Sequence, residues 1–313
     1  MPRPLVIDCD PGHDDAFALL VAVARPELDL LAVTTVGGNG DLDKVTENAR
    51  RVLTLAGATG TPVGAGADRP LSGELEPSVE VHGESALDGA ELPDPEVPLD
   101  ERGAIGLLAD VLAASETPVT VVATGPLTNI ATLLDSRPDV REAIAEIVLM
   151  GGSADTGNTT PLAEFNIWTD PEAAQIVFAS GLPLTMHGLN LTHQALATPA
   201  VLARLRDLGT RLGTVSADWL EFFAASYREL WGFESPPVHD PCTVVELAAP
   251  GTVTFREAFV AIETTGEWTR GATVVDFHDR FGEPPNARVG VHLDRERFWD
   301  VVCGAVESLG DRS

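Results

Sequence analysis

The chain has 313 residues, and its 20 Lys and Arg stand against 48 Asp and Glu, a formal charge of −28. Nucleic acid and anionic membrane surfaces both need a basic footprint, so this balance excludes them as expected partners. Lys44 is the only lysine, which leaves one position for any chemistry built on a lysine nucleophile or a lysine-held phosphate. Hydrophobic residues make up 44% of the chain, enough for a folded core rather than a charged disordered polymer. Three scattered cysteines, Cys9, Cys242 and Cys303, make no disulfide framework and predict a reducing, cytoplasmic setting. There is no apolar signal core at the N-terminus and no run of 18 apolar residues.

Short apolar strands alternate with helices along the chain. Residues 5–8 read as a buried strand and 14–24 as a helix stopped by Pro26. A second strand over 30–36 runs into the turn Gly37-Gly38-Asn39-Gly40, followed by a helix over 45–56 and a short strand over 62–65. Residues 68–102 form a long Pro-, Glu- and Gly-rich segment without a period, which predicts a functional loop. Strands over 119–123, 147–150 and 184–187 are separated by helices over 128–134 and 171–179. Residues 201–231 read as one long helical stretch whose aromatics, Trp219, Phe222, Phe223, Tyr227 and Trp231, are core by default. Strands over 258–263 and 273–277 and a helix over 295–309 complete the pattern. Strands that are apolar throughout, alternating with helices, predict an α/β fold: an open, mostly parallel sheet with helices on both faces, in one domain over 1–313.

The densest chemical signal is Asp8-Cys9-Asp10-Pro11-Gly12-His13-Asp14-Asp15. It lies where the first strand hands over to the first helix, the place where open α/β sheets bind ligands at the carboxyl ends of their strands. A helix N-terminus stabilises a carboxylate by roughly 0.3–1 kcal/mol. Two like charges about 4 Å apart repel by roughly 4 kcal/mol at an effective dielectric near 20. No Lys or Arg lies between Arg3 and Arg25, so four acids in this run call for a cation, and the all-oxygen set favours Ca²⁺ or Mg²⁺ over Zn²⁺.

This run resembles the opening signature of the inosine–uridine-preferring nucleoside hydrolases. Further segments match in order: Val36-Gly37-Gly38-Asn39, Val81-His82-Gly83-Glu84 with Leu87-Asp88-Gly89, Ala123-Thr124-Gly125-Pro126-Leu127-Thr128-Asn129, Leu149-Met150-Gly151-Gly152, Gly157-Asn158 with Ala163-Glu164-Phe165-Asn166, Gly188-Leu189-Asn190-Leu191-Thr192-His193 and Val238-His239-Asp240-Pro241. The resemblance implies a Rossmann-like nucleoside hydrolase fold and cleavage of the N-glycosidic bond of ribonucleosides, purine or pyrimidine, to base and ribose. It implies an oxocarbenium-like transition state and a Ca²⁺-bound water activated by Asp10. Asp10, Asp15, Asp240 and the Thr124 carbonyl would hold Ca²⁺, with Asp8 in support. Asp14, Asn39, Met150, Asn158, Glu164 and Asn166 would bind ribose. His239 would protonate the leaving base, with His82, Tyr227 and Trp231 on the base side. His82, in a polar loop, is expected to be unburied. A homodimer or homotetramer is the implied assembly, and nucleoside catabolism and salvage the implied setting.

Two residues depart from the family pattern: Ala86 stands where Gly is expected, and Asn190 where Asp is frequent. Two rival functions share part of this pattern. An aspartate-nucleophile phosphohydrolase also opens with Asp-x-Asp, but it expects Thr or Val where Gly12 stands and a lysine further downstream than Lys44. A non-catalytic nucleoside-binding relative would not need Asp10, Asp15, Asn166, His239 and Asp240 together.

Overall fold

The computed structural model describes residues 1–310. Nine strands form one sheet: β1 (Arg3–Cys9), β2 (Leu28–Thr35), β3 (Val63–Ala65), β4 (Val119–Ala123), β5 (Ile144–Met150), β6 (Leu184–His187), β7 (Val253–Ile262), β8 (Thr273–Asp276) and β9 (Ala287–Leu293). Their order is β3-β2-β1-β4-β5-β6-β9-β7-β8. All pairings from β3 to β9 are parallel, and β7 runs antiparallel to both of its neighbours. The strand order reverses between β1 and β4, so the loops leaving these two strands part and open a crevice above their carboxyl ends.

Alternation along each strand divides the core in two. On β1, Leu5, Ile7 and Cys9 face one apolar layer and Val6 the other. The first layer is closed by α1 (His13–Ala24), α2 (Leu42–Leu55) and the C-terminal helices. The second is closed by helices over Gly103–Ala114, Thr128–Ser136 and Pro171–Phe178. This is the open, mostly parallel sheet with helices on both faces that the sequence pattern predicts.

Several local expectations need correction. The stretch 201–231 is two helices, Pro199–Asp207 and Arg211–Trp231. Gly209 breaks it with a φ of 65°, and the Thr210 side chain accepts the Gly213 N–H as a new N-cap. Residues 68–102 contain a short helix at Val79–His82, and helix Gly103–Ala114 escapes sequence reading because its residues are apolar on nearly every face. Strand β9 was also unread. Its Gly290 is required by close packing, since a Cβ there would lie 2.6 Å from Leu191 Cδ2. Ala86, in place of the expected glycine, adopts a φ of 63°, a left-handed conformation costing about 1 kcal/mol.

His187 ends β6 fully buried, its ring edge-on to Phe255 at 5.5 Å. Burial, opposed by the Leu149 backbone, pushes its pKa down to about 3. The unfolded chain takes up this proton near pH 6.5 and the native state does not, so stability falls as pH drops below that value. Between pH 7 and pH 5 the wild type should lose about 2 kcal/mol more than His187→Leu, measured by urea unfolding. Equal losses would show that His187 does not carry the effect.

Candidate active site

The crevice is a cavity of about 600 Å³. Asp14 of the acidic run read from the sequence lines its floor, joined by Asp240, and the other acids of the run are buried next to them in sequence. Asp8, Asp10 and Asp15 are completely buried, and Asp14 and Asp240 nearly so. Asp8 leaves β1 and accepts hydrogen bonds from Thr34 Oγ1 at 2.5 Å and Asn129 Nδ2 at 2.8 Å. Asp10 Oδ2 accepts the Asn39 amide at 2.7 Å. Asp15 Oδ1 accepts Thr124 Oγ1 at 2.7 Å, and its Oδ2 accepts the Gly12 amide at 3.1 Å and Asn39 Nδ2 at 3.3 Å. Asn39 thus ties two carboxylates together and also lines the cavity.

Two glycines let the backbone reach these acids. A Cβ on Gly38 would lie 2.0 Å from Asp10 Oδ2, and one on Gly125 would lie 2.6 Å from Asp10 Oδ1. Both glycines have ordinary φ values, so it is space and not backbone freedom that requires them.

Burial raises the pKa of every acid in the floor. Asp8 is pushed up to about 6 by burial against its two hydrogen bonds. Asp14 rises to about 7 from burial and then from the charge on Asp15. Asp10 and Asp240 rise well above the carboxylate range, from burial first and then from their acidic neighbours. None of the ion pairs among the described residues includes any of these acids. Asp10 Oδ1 and Asp14 Oδ1 are buried without a partner. Such oxygens, short of positive charge, fit a hard cation. Asp14, Asp15 and Asp240 each offer a carboxylate oxygen within 4.8 Å of the others, an acidic triad able to hold a metal ion.

The predicted sugar side is assembled on the loop after β5. Glu164 caps a short helix, Phe165–Thr169, and accepts backbone N–H groups from Gly152 at 2.8 Å, Asn166 at 2.9 Å and Ile167 at 3.2 Å. Burial still lifts its pKa to about 7. Asn166 Nδ2 donates to the Thr124 carbonyl at 2.7 Å and the Met150 carbonyl at 3.1 Å, coupling the ends of β4 and β5. Asn158 accepts the Phe165 amide at 2.9 Å. Met150, Asn158, Glu164 and Asn166 all line the cavity together with Asp14.

Histidines and aromatics complete the lining. His239 contacts Thr192 Oγ1 through Nδ1 at 2.8 Å and the Tyr227 hydroxyl through Nε2 at 2.7 Å. Burial, helped by His193, holds its pKa well below the ordinary value, so the ring is neutral and donates through only one nitrogen. His82 is buried, contrary to its expected exposure in a polar loop. It stacks on His13 at 5.3 Å and on Phe223 at 5.4 Å, and His13 Nδ1 meets its Nδ1 at 3.1 Å. Tyr227 and Trp231 both line the cavity, their rings 4.6 Å apart. Phe165, Trp168 and Phe223 line it too, without an expected site role: Phe223 reads as a core aromatic, and Phe165, like Thr192, only as part of a matched segment. Their one signal was adjacency, since Phe165 and Trp168 flank Asn166. Asn190, the second departure, donates to the Gly290 carbonyl at 2.9 Å and accepts the Ala154 amide, a pair of bonds an Asp cannot make in its ionised form.

Comparison with known proteins follows this geometry. Residues 5–300 match the family described as inosine-uridine preferring nucleoside hydrolase. The pyrimidine-specific ribonucleoside hydrolase RihA of Salmonella paratyphi C is 48% identical over 304 residues, 97% of this chain and 98% of that protein. The RihA of Enterobacter sp. is also 48% identical, with 97% of each chain covered. Among solved structures, the purine-preferring ribonucleoside hydrolase from Gardnerella vaginalis superposes with a TM-score of 0.92 at 30% identity, covering 99% of this chain and all of the other.

Proposed function

Since this chain belongs to the inosine-uridine preferring nucleoside hydrolase family and hydrolyses the N-glycosidic bond of ribonucleosides, we propose that its substrates are pyrimidine ribonucleosides and that Asp10 is the general base. The observation that carries the catalytic part is the pair of buried, unpartnered oxygens, Asp10 Oδ1 and Asp14 Oδ1, beside a metal-competent acid triad. The pyrimidine preference rests on the 48% identity to pyrimidine-specific relatives across nearly the full chain.

Asp14, Asp15, Asp240 and Asp10, with the second lone pair of the Thr124 carbonyl, are the proposed cation ligands, and Ca²⁺ suits their number and flexibility. A bound cation supplies a lowered pKa to a water beside it. Asp10 takes the proton of the attacking water on Oδ1, while Asn39 fixes the carboxylate through Oδ2. Asp14 and Glu164 face the sugar and stabilise the positive charge that grows on it. His239 is the proposed acid for the departing base: its ring, neutral in the free protein, takes up one proton and gives one to the base as the N-glycosidic bond breaks, beside the Tyr227 hydroxyl. The hydroxyl sits on Nε2, and Thr192 on Nδ1 keeps the ring in place as a proton passes. His82, Tyr227 and Trp231 frame the base. Among the described residues no Lys or Arg lines the cavity, which supports a neutral nucleoside over a phosphate ester and counts against the phosphohydrolase reading. One domain and a cytoplasmic location rest on the sequence pattern and the scattered cysteines, and a homodimer or homotetramer on the family resemblance.

The test is a substrate panel of uridine, cytidine, inosine and adenosine, followed by free base and reducing sugar. Uridine and cytidine should have kcat/KM at least about tenfold above inosine, a difference of roughly 1.4 kcal/mol in transition-state binding. Faster cleavage of inosine would overturn the pyrimidine assignment, and phosphate release from a generic ester without ribose release would overturn the reaction class.

A further inference from the structure

The hairpin between β7 and β8 lies outside every segment of the predicted site, yet it grips the sugar-side loop at three points. Thr273, first residue of β8 and 8% exposed, donates through Oγ1 to the Ser153 carbonyl at 2.6 Å and accepts the Ser153 amide at 2.7 Å. One hydroxyl therefore satisfies both backbone groups of a residue buried beside the cavity. Ala272 forms an isolated antiparallel bridge with Ala163, the residue before Glu164. Gly271 abuts Trp168 so closely that a Cβ there would lie 2.8 Å from its Cα. The hairpin is anchored in turn by Arg270, which donates to both carboxylate oxygens of Glu172 at 2.6 and 2.8 Å.

The Ser153 contact is one peptide away from the groups that meet substrate. Gly152 precedes Ser153, and its amide donates to Glu164 Oε2. Gly152 itself has a φ of 70°, and a Cβ on it would meet Thr273 Cγ2 at 2.5 Å, so Thr273 fills the space that fixes this turn. A shift of the 152–153 peptide therefore turns the Gly152 Cα and, through it, the adjoining 151–152 peptide whose N–H donates to Glu164.

We propose that Thr273 is a positioning residue for sugar binding, setting Glu164 through the Gly152-Ser153 peptide. The proposal rests on the reading of Glu164 as a ribose-contacting group. Thr273→Val keeps the shape and removes the hydroxyl, leaving the Ser153 amide and carbonyl without their partner. KM should rise about tenfold, the effect of roughly 1.4 kcal/mol, with kcat changed less than about threefold. The rise should be the same factor for uridine, cytidine and inosine, because the sugar is common to all three. Free ribose, used as a competitive inhibitor, should weaken by that factor as well. Thr273→Ser restores the hydroxyl and should restore KM.

A role confined to stability would lower the melting temperature of Thr273→Val but leave KM and the ribose inhibition constant unmoved, and that result overturns the proposal. So would a KM rise that differs among the three bases, or one that Thr273→Ser fails to reverse. Should Thr273→Val not fold, Arg270→Met releases the hairpin from Glu172 while keeping Thr273, and a smaller KM rise in the same direction is expected; an unchanged KM counts against the idea. Absence of ribose release from the wild type would be a failure of the nucleoside reading itself, separate from all of these outcomes.

Discussion

Asp10→Asn should lower kcat on uridine by about three orders of magnitude, within the range for loss of a general base, while the protein becomes no less stable. The two expectations have one cause. Asp10 is buried among acidic neighbours, and its Oδ1 has no partner in the protein. Asparagine keeps an oxygen to accept the Asn39 amide, so the local frame survives. It removes a group that burial and its acidic neighbours make costly to ionise in the cation-free protein. A melting temperature measured in chelator should therefore stay level or rise as turnover collapses, the trade expected where a site stores unfavourable electrostatics for use. Turnover near the wild-type value would place the base elsewhere.

Removing the cation should have the second large effect. Chelation should reduce kcat by about a thousandfold, because the proposed site then lacks the charge that lowers the pKa of water. A readout independent of activity accompanies it. A ligand that binds only the native state adds about 4 kcal/mol at a thousand times its Kd, which for a chain of this size is a melting shift on the order of 10 °C. Restoring Ca²⁺ should recover both kcat and melting temperature, and Mg²⁺ at equal concentration should recover less, since it resists full dehydration into an all-protein site. Asp240→Asn should blunt the melting shift. A chelated enzyme with unchanged melting and unchanged rate would refute the cation site.

Much of this site could be read from local sequence. Asp8, Asp10, Asp14 and Asp15 lie in eight consecutive residues, and a strand followed by Pro-Gly and a helix places them at one strand end. The parallel core was equally legible, since strands buried on both faces carry no polar alternation. The misses share a different cause. His82 reads as a loop histidine by its neighbours in sequence, but its burial comes from His13 and Phe223, 69 and 141 residues away. The partner of His239 on Nδ1 is Thr192, 47 residues earlier, inside a stretch with no catalytic residue type at notable spacing. The break at Gly209 hid because helical periodicity continues on both sides of it. Thr273 was legible as a strand residue and nothing more, because what it holds, Ser153, is 120 residues upstream.

The fit of Gly38 and Gly125 against Asp10 has an evolutionary consequence. A single methyl group at either position would collide with the carboxylate, so these two sites tolerate essentially no drift. The cavity mouth is built differently, from exposed side chains such as Leu230 and Trp231 on the last turn of one helix, where exchange costs little backbone adjustment. Side chains at the rim can thus be exchanged with less disturbance of the acids than any change at Gly38 or Gly125.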